Sequence, residues 1–557
     1  MQKVISAEQM RSIDSATTER YATPSLLLME AAAACVAREA FRLLTAEGSS
    51  PIDLKRKKVF IICGRGNNGG DGAAAGRALW REGVRVHIVL CGRLADAKGD
   101  ARINFEIVRQ LASGAERTLE FTECDTLAAW NEVAARLVDC DLIIDALFGT
   151  GLKRPVEGAH KAVVERLVQV REARERAESQ HPSILAVDLP SGLDADRAQP
   201  IGPTVEADVT VSFTAPKPAN VLPPAARFNG RLVIAHIGSP VDLVEDTPSQ
   251  LFLLEETDAR AWLQRTRYAP GSYKNAHGHV LIIAGSRRFT GAAALTANAA
   301  MRAGAGLVTL AAPRSALGPI AARLLPEVIT VPIAETEQGT IDGAAAKEIR
   351  ALVERSTVIA IGPGLGAEPE TGRLVRELAS SVRLPMVIDA DGLNALAPWP
   401  DGLRGEDKAP RILTPHPGEM KRLIGANKDE ELTDRVAVVR EFAVAHALHL
   451  VLKGERALIA SPDGSVFINP TGNAGLGRAG SGDTLTGIIA AFLAQEFAAK
   501  ESTPDTVAAL NAALFIGGMA GDLAARTRGM RTMTASDVRE HLSRAIAALD
   551  PRGEMKG

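Results

Sequence analysis

Short runs of β-branched and aliphatic residues alternate with longer alanine- and leucine-rich stretches along most of the chain. The short runs have the length of strands, and the longer stretches carry apolar residues at helical spacing. This alternation predicts parallel strands joined by covering helices, so both halves of the chain belong to the α/β class. The predicted strands are 58–63, 84–90, 141–147, 183–189, 207–213 and 231–237 in the first half, and 279–285, 306–312, 357–364, 385–392, 411–416, 448–454 and 465–470 in the second.

The length of 557 residues exceeds what one hydrophobic core usually supports, because domains rarely grow beyond roughly 250 to 300 residues. The stretch GSPVDLVEDTPSQLFLLEETD (238–258) mixes proline, serine and acidic residues between two regular regions, which is typical of a connection between domains. We therefore predict a first domain over residues 1–240 and a second over residues 250–550.

Composition and charge exclude several classes of protein. Hydrophobic residues make up 46% and charged residues 24%, the balance of a soluble globular protein, and no apolar run approaches the ~20 residues that span a bilayer. The 64 basic and 67 acidic residues give a net charge of -3, so no positive field attracts a phosphate backbone. We expect neither a membrane nor a nucleic acid as a partner.

The cysteines and the N-terminus indicate the compartment. The five cysteines are odd in number and show neither CxxC nor metal-ligand spacing, which favours reduced thiols. The first residues, MQKVISAEQMRSID, lack the basic and then apolar segments of a signal peptide. Ser6 and Gln9 instead form a capping-box pattern that begins a helix. We expect a cytoplasmic protein.

Polar and glycine residues follow most of the predicted strands directly. Ligands of open α/β sheets bind outside the carboxyl ends of the strands, where loops and helix N-termini converge. The charged stretch 165–180, by contrast, has Glu and Arg spaced for i,i+4 pairs and is typical of a solvated helix face. Candidate chemistry therefore belongs to the strand-end loops.

The loop after the first strand reads GRGNNGGDG (64–72). Its five glycines allow a sharp turn and present backbone N–H groups to an anion at the start of the next helix, which favours a phosphate-bearing ligand. The loop fits neither the P-loop nor a clean GxGxxG pattern, so alone it does not separate a binding loop from a structural turn. Two further strand ends, DALFGTGLKRP (145–155) and DLPSGLDAD (188–196), add carboxylates and hydroxyls, and oxygen ligands from three loops suit a hard cation.

Together these motifs resemble the YjeF-type N-terminal domain, the NAD(P)H-hydrate epimerase family, over roughly residues 1–240. The resemblance implies a Rossmann-like three-layer α/β/α fold, with Asp188 catalytic and facing the reacting ring. It implies a potassium ion held by Asn68, Asp145 and Ser191. The substrate-binding residues that it implies are Asn67, Asn68, Gly69, Gly70, Asp71, Gly149, Thr150, Gly151, Leu152, Lys153, Arg154, Pro155 and Asp188. Inverting a hydrated ring carbon requires a carbinolamine to open or lose hydroxide and re-form, for which one carboxylate acting as acid and base suffices.

Asp145 and Asp188 also have a simpler interpretation, in which they only cap the loops that follow them. The N-terminal half is then a binding or scaffolding module, because a fold can be reused without catalysis. Loss of Asp188 or of the NNGGD run would mark such a module, and both are present. Arg65 departs from the family, which often has a small residue or proline there, and the departure affects the expected phosphate contacts.

The segment GRAGSGDTLTGIIAAFLAQ (477–495) begins with glycines and continues as an apolar helix. Backbone N–H groups and the helix dipole at its N-terminus stabilise negative charge on a transferring phosphoryl group, while Asp483 takes a proton from an attacking hydroxyl. This arrangement is typical of a small-molecule kinase. The loop alone does not exclude a vitamin or sugar kinase.

Other motifs make the resemblance in this half specific: residues 285–313, GPGLG (362–366), DADGLNAL (389–396), TPHPGEMKRL (414–423), LKG (452–454) and GSGD (480–483). Over roughly residues 250–550 the chain resembles the ribokinase-like superfamily, and most specifically the ADP- or ATP-dependent NAD(P)H-hydrate dehydratases. The resemblance implies that the hydrated cofactor contacts Ala292, Gly366, His416 and the catalytic Asp483. It implies that the nucleotide is held by Lys453, Gly454, Glu455, Arg456, Ala457 and Gly482.

The implied reaction phosphorylates the ring hydroxyl that addition of water leaves, and then expels phosphate, which is a better leaving group than hydroxide. ADP with magnesium is the expected donor and gives AMP and phosphate. The family often has the sequence NPGMATGG where this chain has NAGLGRAG (473–480). It also often has a hydroxyl residue at the position of Ala457. Both differences affect the expected preference between ADP and ATP. His416, between two prolines, also has an interpretation as a turn residue.

Fusion of the two halves favours repair of hydrated NADH and NADPH. Spontaneous hydration yields two epimers, whereas a stereospecific dehydratase accepts one, here expected to be S, so an attached epimerase completes the repair. The alanine-rich helices predicted over 25–44 and 506–525 offer faces to a partner subunit, and we expect a homo-oligomer, although core packing explains these helices equally well.

Overall fold

The computed structural model describes residues 1–45, 54–114, 118–179, 181–268, 270–427, 432–499 and 503–550. The chain divides into two compact units, Gln2–Ser249 and a second that begins at Gln250. The division falls within the segment 238–258, where the sequence changes character. Each unit is built around one β-sheet.

Seven of the described strands form a parallel sheet in the first unit, in the order β4-β3-β2-β5-β6-β7-β8. The strands of this unit are β1 Gln2–Lys3, β2 Lys58–Cys63, β3 Arg85–Leu90, β4 Leu119–Glu123, β5 Leu142–Ala146, β6 Ser183–Val187, β7 Val209–Phe213 and β8 Arg231–Ala235. The helices are α1 Ala7–Arg20, α2 Ser25–Leu44, α3 Asn67–Arg81, α4 Gly99–Ala112, α5 Leu127–Ala134, α6 Gly158–Arg176, α7 Pro218–Val221 and α8 Val241–Glu245.

Strand β2 explains the three-layer arrangement of this unit. Its side chains alternate between two apolar clusters, with Val59 and Ile61 in one and Phe60 and Ile62 in the other. A parallel strand covered on both faces reads as a continuous hydrophobic run, as KVFIIC does. The sheet is therefore sandwiched between helices, which confirms the predicted α/β/α fold. The predicted capping box of Ser6 and Gln9 is also confirmed at the start of α1.

The strands of the second unit follow the order β9-β18-β17-β16-β15-β14-β13-β10-β11-β12. They are β9 Leu251–Leu253, β10 His279–Ile283, β11 Leu307–Pro313, β12 Ile329–Ile333, β13 Val358–Ile361, β14 Met386–Ile388, β15 Arg411–Leu413, β16 His449–Leu452, β17 Leu458–Ala460 and β18 Val466–Ile468. The helices are α9 Glu256–Arg265, α10 Thr290–Arg302, α11 Arg314–Ala321, α12 Ala346–Val353, α13 Pro369–Ser381, α14 Asp391–Ala395, α15 Pro417–Leu423, α16 Arg435–His446, α17 Ser481–Ala498, α18 Thr506–Arg528 and α19 Ala535–Leu549.

One part of this sheet differs from the predicted parallel arrangement. β17 runs antiparallel to both β16 and β18. The connections on either side of β17 are too short for the crossover that parallel neighbours require. The expectation of parallel strands throughout was therefore wrong for this meander and holds for the rest of the sheet.

The helix α18 is long and apolar enough to span a membrane by length and composition, which corrects the expectation that no apolar run approaches this size. Two thirds of its most apolar window, 67%, is buried in the protein. It packs against α9, α17 and α19 in the core of the second unit. The same core contains the stacked rings of Trp262 and Phe492, 4.2 Å apart. Core packing thus accounts for the apolar character of this helix.

The charged stretch predicted as a solvated helix face lies mostly on α6; residue 180 falls outside the described residues. One side of α6 is buried, through Val163, Val164, Leu167 and Val170. Arg171 and Arg174 both pair with Asp208. The helix is amphipathic, so the prediction was correct for one of its faces only. All five cysteines are free thiols, and four of them are buried.

Candidate functional site

A cavity of about 830 Å³ lies at the carboxyl edge of the first sheet. The strand order reverses there between β2 and β5, and such a switch point is where open α/β sheets bind ligands. The loops after both strands line the cavity, together with residues of α1 and α2. The predicted site residues that line it are Asn67, Asn68, Asp71, Gly149, Thr150, Gly151, Leu152 and Asp188.

The glycines of the first loop are required by close packing of backbone against backbone. A Cβ at Gly64 would lie 2.1 Å from the Leu147 carbonyl oxygen, and one at Gly69 would lie 1.8 Å from the Gly64 carbonyl oxygen. The following helix α3 begins after Gly66 without a side-chain cap. The first N–H groups of a helix have no intrahelical partner, so this N-terminus suits an anionic ligand.

Asp188 is held by a buried lysine that the sequence reasoning missed. Lys217 Nζ donates to Asp188 Oδ1 at 2.7 Å, and the two side chains are 1% and 10% exposed. Ser212 Oγ donates to the same oxygen at 3.1 Å. Lys217 also donates to the Phe213 carbonyl. The second oxygen, Oδ2, lies 3.2 Å from the position of a Cβ at Gly149 and faces the cavity wall there.

Asp145 and Ser191 are fully buried and bonded to each other. Ser191 donates to Asp145 through its hydroxyl at 2.6 Å and through its backbone N–H at 2.8 Å. Burial raises the pKa of Asp145 to about 6 against the effect of these hydrogen bonds. No lysine, arginine or histidine of the described residues forms an ion pair with this carboxyl group.

Asn68 lies close to the other groups of this site. Its Oδ1 is 2.9 Å from the position of a Cβ at Gly149, while its Nδ2 is buried and has no hydrogen-bond partner among the described residues. A buried polar group is normally satisfied, so this amide nitrogen is suited to hydrogen-bond a ligand in the cavity.

Five predicted substrate contacts lie elsewhere in this unit. The Lys153 ammonium pairs with Asp194 at 3.0 Å and with Asp196 at 2.5 Å. The cavity wall includes neither Lys153 nor the two residues that follow it, Arg154 and Pro155. Gly69 and Gly70 are buried in the packing of α3 and lie behind the wall. Of the predicted substrate contacts Gly149–Pro155, the cavity wall therefore includes only Gly149–Leu152.

The second sheet has its own switch point, where β10 lies between β11 and β13. The loops after β10 and β13 touch each other there. Gly285 donates its N–H to the Pro363 carbonyl at 2.8 Å. A Cβ at Gly364, whose φ is +67°, would lie 3.1 Å from Cβ of Ala292. The predicted contacts Ala292 and GPGLG thus meet at this edge, and Gly366 donates its N–H to Asp391 Oδ2 at 2.9 Å.

An ion pair lies below the N-terminus of α17. Lys453 Nζ is 2.6 Å from Asp389 Oδ1, and Asp389 is 1% exposed. Thr486 Oγ1 donates to the other carboxylate oxygen at 2.7 Å. A Cβ at Gly482 would lie 3.2 Å from Lys453 Nζ, so a larger residue there would crowd the ammonium. Burial by itself would raise the pKa of Asp389, but the charge of Lys453 and the hydrogen bonds from Lys453, Thr486 and Thr414 together lower it.

Asp483 lies in the first turn of α17, after Gly480 in a left-handed conformation. Burial, together with the nearby charge of Asp389, raises its pKa to about 6, although Lys453 opposes the shift. Two carboxyl groups in one site thus have different protonation behaviour. The lysine keeps Asp389 ionised, whereas Asp483 can exchange a proton near neutral pH, as a general base must.

His416 caps the helix α15. Its Nδ1 accepts from the N–H groups of Gly418 and Glu419 at 3.0 and 3.3 Å, and Glu419 Oε2 accepts from the His416 N–H at 2.8 Å. The interpretation of His416 as a turn residue is therefore correct as far as Nδ1 is concerned. Nε2 lies 3.5 Å from Glu419 Oε1 on a side chain that is 52% exposed, so a substrate contact of this ring would be made through Nε2.

A second residue that the sequence reasoning missed lies beside the predicted nucleotide segment. Arg435 begins α16, and its Nη2 lies 3.2 Å from the position of a Cβ at Gly454. Nε and Nη2 are buried and have no partner among the described residues, while Nη1 donates weakly to the Glu455 carbonyl at 3.4 Å. Arg456, in the same segment, has a φ of +50°. An unpaired guanidinium next to this strained turn suits a phosphate.

Comparisons with known proteins agree with the division into two halves. A family model described as YjeF-related protein N-terminus matches residues 25–219, and one described as NAD(P)H-hydrate dehydratase matches residues 280–544. The ADP/ATP-dependent NAD(P)H-hydrate dehydratase from Bacillus subtilis, co-crystallised with ATP and Mg²⁺, is 29% identical; the match covers 54% of this chain and 98% of that one, with a TM-score of 0.45.

Matches over nearly the whole length come from curated relatives. The bifunctional NAD(P)H-hydrate repair enzyme of Moorella thermoacetica is 39% identical, over 99% of this chain and 98% of its own. The enzyme of the same name from Thermofilum pendens is 36% identical, over 98% and 97%. The resemblances stated for the two halves are confirmed, and the chain belongs to the family of bifunctional NAD(P)H-hydrate repair enzymes.

Proposed function

We propose that the first unit interconverts the R and S epimers of hydrated NADH and NADPH, and that the second converts the S epimer to NAD(P)H at the expense of a nucleotide. The observation that carries this proposal is the placement of one aspartate at each sheet edge, Asp188 in the first unit and Asp483 in the second. Each aspartate lies close to glycine-rich backbone that is suited to bind phosphate groups. Both the hydrated dinucleotide and the nucleotide donor carry such groups.

In the first unit the dinucleotide phosphates bind at the N-terminus of α3, which places the hydrated ring in the cavity. Asp188 Oδ2 exchanges a proton with the ring hydroxyl, because Oδ1 is already engaged by Lys217 and Ser212. Asn68, with its unpaired amide nitrogen, orients the ring. The remaining cavity contacts come from Asn67, Asp71 and Gly149–Leu152.

The residues present fit the potassium ion implied by the family. Asp145 is buried without a cationic partner among the described residues, and Ser191 adds a hydroxyl bonded to it. Asn68 offers an amide oxygen beside Gly149, in the loop that follows Asp145. A hard monovalent cation takes such oxygen ligands and would offset the buried charge. When bound, it neutralises the floor of the site.

In the second unit Asp483 accepts the proton of the ring hydroxyl as that oxygen attacks the terminal phosphorus. The N-terminal N–H groups of α17 stabilise the charge on the phosphoryl group in flight. Lys453, fixed by Asp389, lies at the same N-terminus and supplies a positive charge to the nucleotide phosphates. His416 Nε2, Ala292 and Gly366 border the substrate side.

We propose ADP as the donor, giving AMP and phosphate, and the segment Lys453–Ala457 with Gly482 as the nucleotide site. Arg435 extends this site with its two unpaired nitrogens. Magnesium comes with the nucleotide and needs only one or two protein carboxylates; Glu419, 3.8 Å from Lys453, supplies one. The five free thiols favour a cytoplasmic location.

The test supplies purified protein with mixed epimers of hydrated NADH and follows recovery of the dihydronicotinamide absorbance. The protein is given ADP with magnesium, ATP with magnesium, or no nucleotide. We expect complete recovery with ADP and only the spontaneous rate without nucleotide. Recovery that does not depend on nucleotide would contradict the dehydratase proposal, and phosphorylation of a sugar or vitamin alcohol instead would favour the kinase alternative.

A further inference from the structure

Asp14 is a carboxyl group in the epimerase cavity to which the proposed mechanism gives no role. It lies on α1 and lines the same cavity as Asp188 and Lys217. Its Oδ1 is buried and has no hydrogen-bond partner among the described residues. A buried oxygen without a donor, facing a substrate cavity, is suited to a ligand hydroxyl.

The position of Asp14 is fixed by the anchoring of its helix. Ser6 and Gln9 close a capping box at the start of α1. The Ala7 N–H donates to Asp196 Oδ1 at 2.7 Å, and the Ile5 N–H donates to the Pro216 carbonyl at 2.9 Å. These contacts tie the helix to the loops that also carry Asp188 and Lys217. The helix therefore holds Asp14 at the cavity, although Asp14 Oδ1 itself accepts no hydrogen bond from the described residues.

The two carboxyl groups have different surroundings. Asp188 has the Lys217 ammonium at 2.7 Å, whereas Asp14 has no ion-pair partner among the described residues. Burial raises the pKa of Asp14 to about 6; the charge of Lys217 opposes this shift and that of Asp188 adds to it. Asp71, buried beside both, has its pKa raised by burial and by their charges. The other charged groups at the cavity are Arg11, Glu19, Arg65, Asp100 and His160.

We infer that Asp14 is a second proton-transfer residue of the epimerase, paired with Asp188. The inference rests on the proposed function of the first unit. The two groups come from separate elements, α1 and the end of β6, and line the same cavity. The proposed role requires them to serve opposite faces of the same ring carbon. When two carboxyl groups have different environments, one can act as the general acid and the other as the general base.

The epimerisation step balances when Asp14 and Asp188 together carry one proton. Protonated Asp14 gives its proton to the ring hydroxyl, the C–O bond breaks, and water leaves as the lone pair of the ring nitrogen forms a C=N bond. Water then adds to the opposite face of that carbon, forming a new C–O bond, and the Asp188 carboxylate takes the released proton. The reverse reaction uses the two residues in exchanged roles. Proton exchange with solvent resets the pair.

The experiment measures interconversion of purified R and S epimers without nucleotide, by chromatography, in the full-length protein. Asp14→Asn is expected to lower the rate by about 100-fold, the size of a general acid–base contribution. Glu8→Gln, an exposed carboxyl on the same helix, is the matched control and is expected to leave the rate unchanged. Thermal unfolding checks that the first unit is intact.

A pH profile separates proton transfer from a structural role. The wild-type rate is expected to fall as the pH rises above about 6, because the pair then loses its shared proton. Asp14→Asn is expected to lack this descending limb in its residual rate, and Asp14→Glu to retain it at a displaced pH. The Asp14→Glu profile decides the matter if Asp14→Asn does not fold.

Two outcomes overturn the inference while the proposed function stands. In the first, wild-type protein interconverts the epimers and Asp14→Asn does so at a rate within about twofold of wild type. In the second, the descending limb of Asp14→Glu lies at the same pH as that of the wild type. Wild-type protein that fails to interconvert the epimers contradicts the proposed function itself.

Discussion

The Lys217 ammonium lies 2.7 Å from Asp188 Oδ1, and both side chains are nearly removed from solvent. Asp188 itself has a φ of +64°, an uncommon conformation for a residue with a side chain. Strain of this kind persists only where the surroundings enforce it, and here the lysine and Ser212 do so. The pair leaves Oδ2 as the free oxygen of Asp188 at the cavity.

Replacement of Lys217 by methionine is expected to destabilise the first unit by about 3 kcal/mol, because it leaves a buried carboxylate without its cation. Epimer interconversion is expected to fall with it, since Asp188 loses its orientation. Thermal unfolding and the epimer assay measure the two effects. Lys161→Met, at a surface pair with 49% exposure, is the control. Equal stability of the two variants would contradict the importance of the buried pair.

Gly149→Ala tests the geometry of the cavity floor. The new methyl would lie 2.9 Å from Asn68 Oδ1 and 3.2 Å from Asp188 Oδ2, so it occupies the space where the ring hydroxyl is expected. We expect a loss of epimer interconversion of at least about tenfold with dehydration of the S epimer unchanged. Gly202→Ala, outside the cavity wall and with only Pro155 Cβ at 3.8 Å from the new methyl, is the matched control. Full activity of Gly149→Ala would place the reaction elsewhere.

The pH dependence of the dehydratase follows from Asp483. Its pKa is raised to about 6, and a general base must be ionised. The rate of S-epimer dehydration at saturating ADP is therefore expected to be level above pH 7 and to fall about tenfold per pH unit below the pKa of Asp483. A rate that stays level down to pH 5 would exclude Asp483 as the titrating base.

Arg435→Gln removes the unpaired guanidinium beside Gly454. If those nitrogens bind a nucleotide phosphate, the KM for ADP is expected to rise about tenfold or more, with a smaller change in kcat and no loss of epimerase activity. Arg373→Gln replaces an arginine that is 67% exposed and serves as the control for the KM for ADP. An unchanged KM for ADP in Arg435→Gln would remove Arg435 from the nucleotide site.

The sequence predicted the central strands of both sheets well, because buried parallel strands read as unbroken apolar runs. It missed five of the described strands, β1, β4, β9, β12 and β17, of which β1 has only two residues. β4 and β12 lie at edges of their sheets. β4 carries exposed polar positions, as in LEFTE (119–123), and β12 is interrupted by Pro332. β9 and β17 have only three residues each, too few for a pattern.

Site residues could be predicted where they belong to a recognisable motif at the end of a strand. Side chains that pair with them from distant segments of the chain could not be predicted. Asp188 begins the DLPSGLDAD motif and Asp483 ends the glycine-rich GRAGSGD motif, and both were identified from these motifs. Lys217 is 29 positions from Asp188, and Asp389 is 64 positions from Lys453, so no local spacing joins them. Asp14 and Arg435 lie within ordinary helix sequences. Only burial without a partner distinguishes them, and this property belongs to the fold.

The most direct measurement follows the repair of an equal mixture of R and S hydrated NADH by Asp188→Asn with saturating ADP. We expect two phases: the S epimer, half of the mixture, recovers at the wild-type dehydration rate, and the R epimer recovers only as fast as the epimers interconvert spontaneously. Asp483→Asn is predicted to recover neither epimer while still interconverting them. Equal slowing of both epimers by Asp188→Asn would contradict the division of labour between the two units.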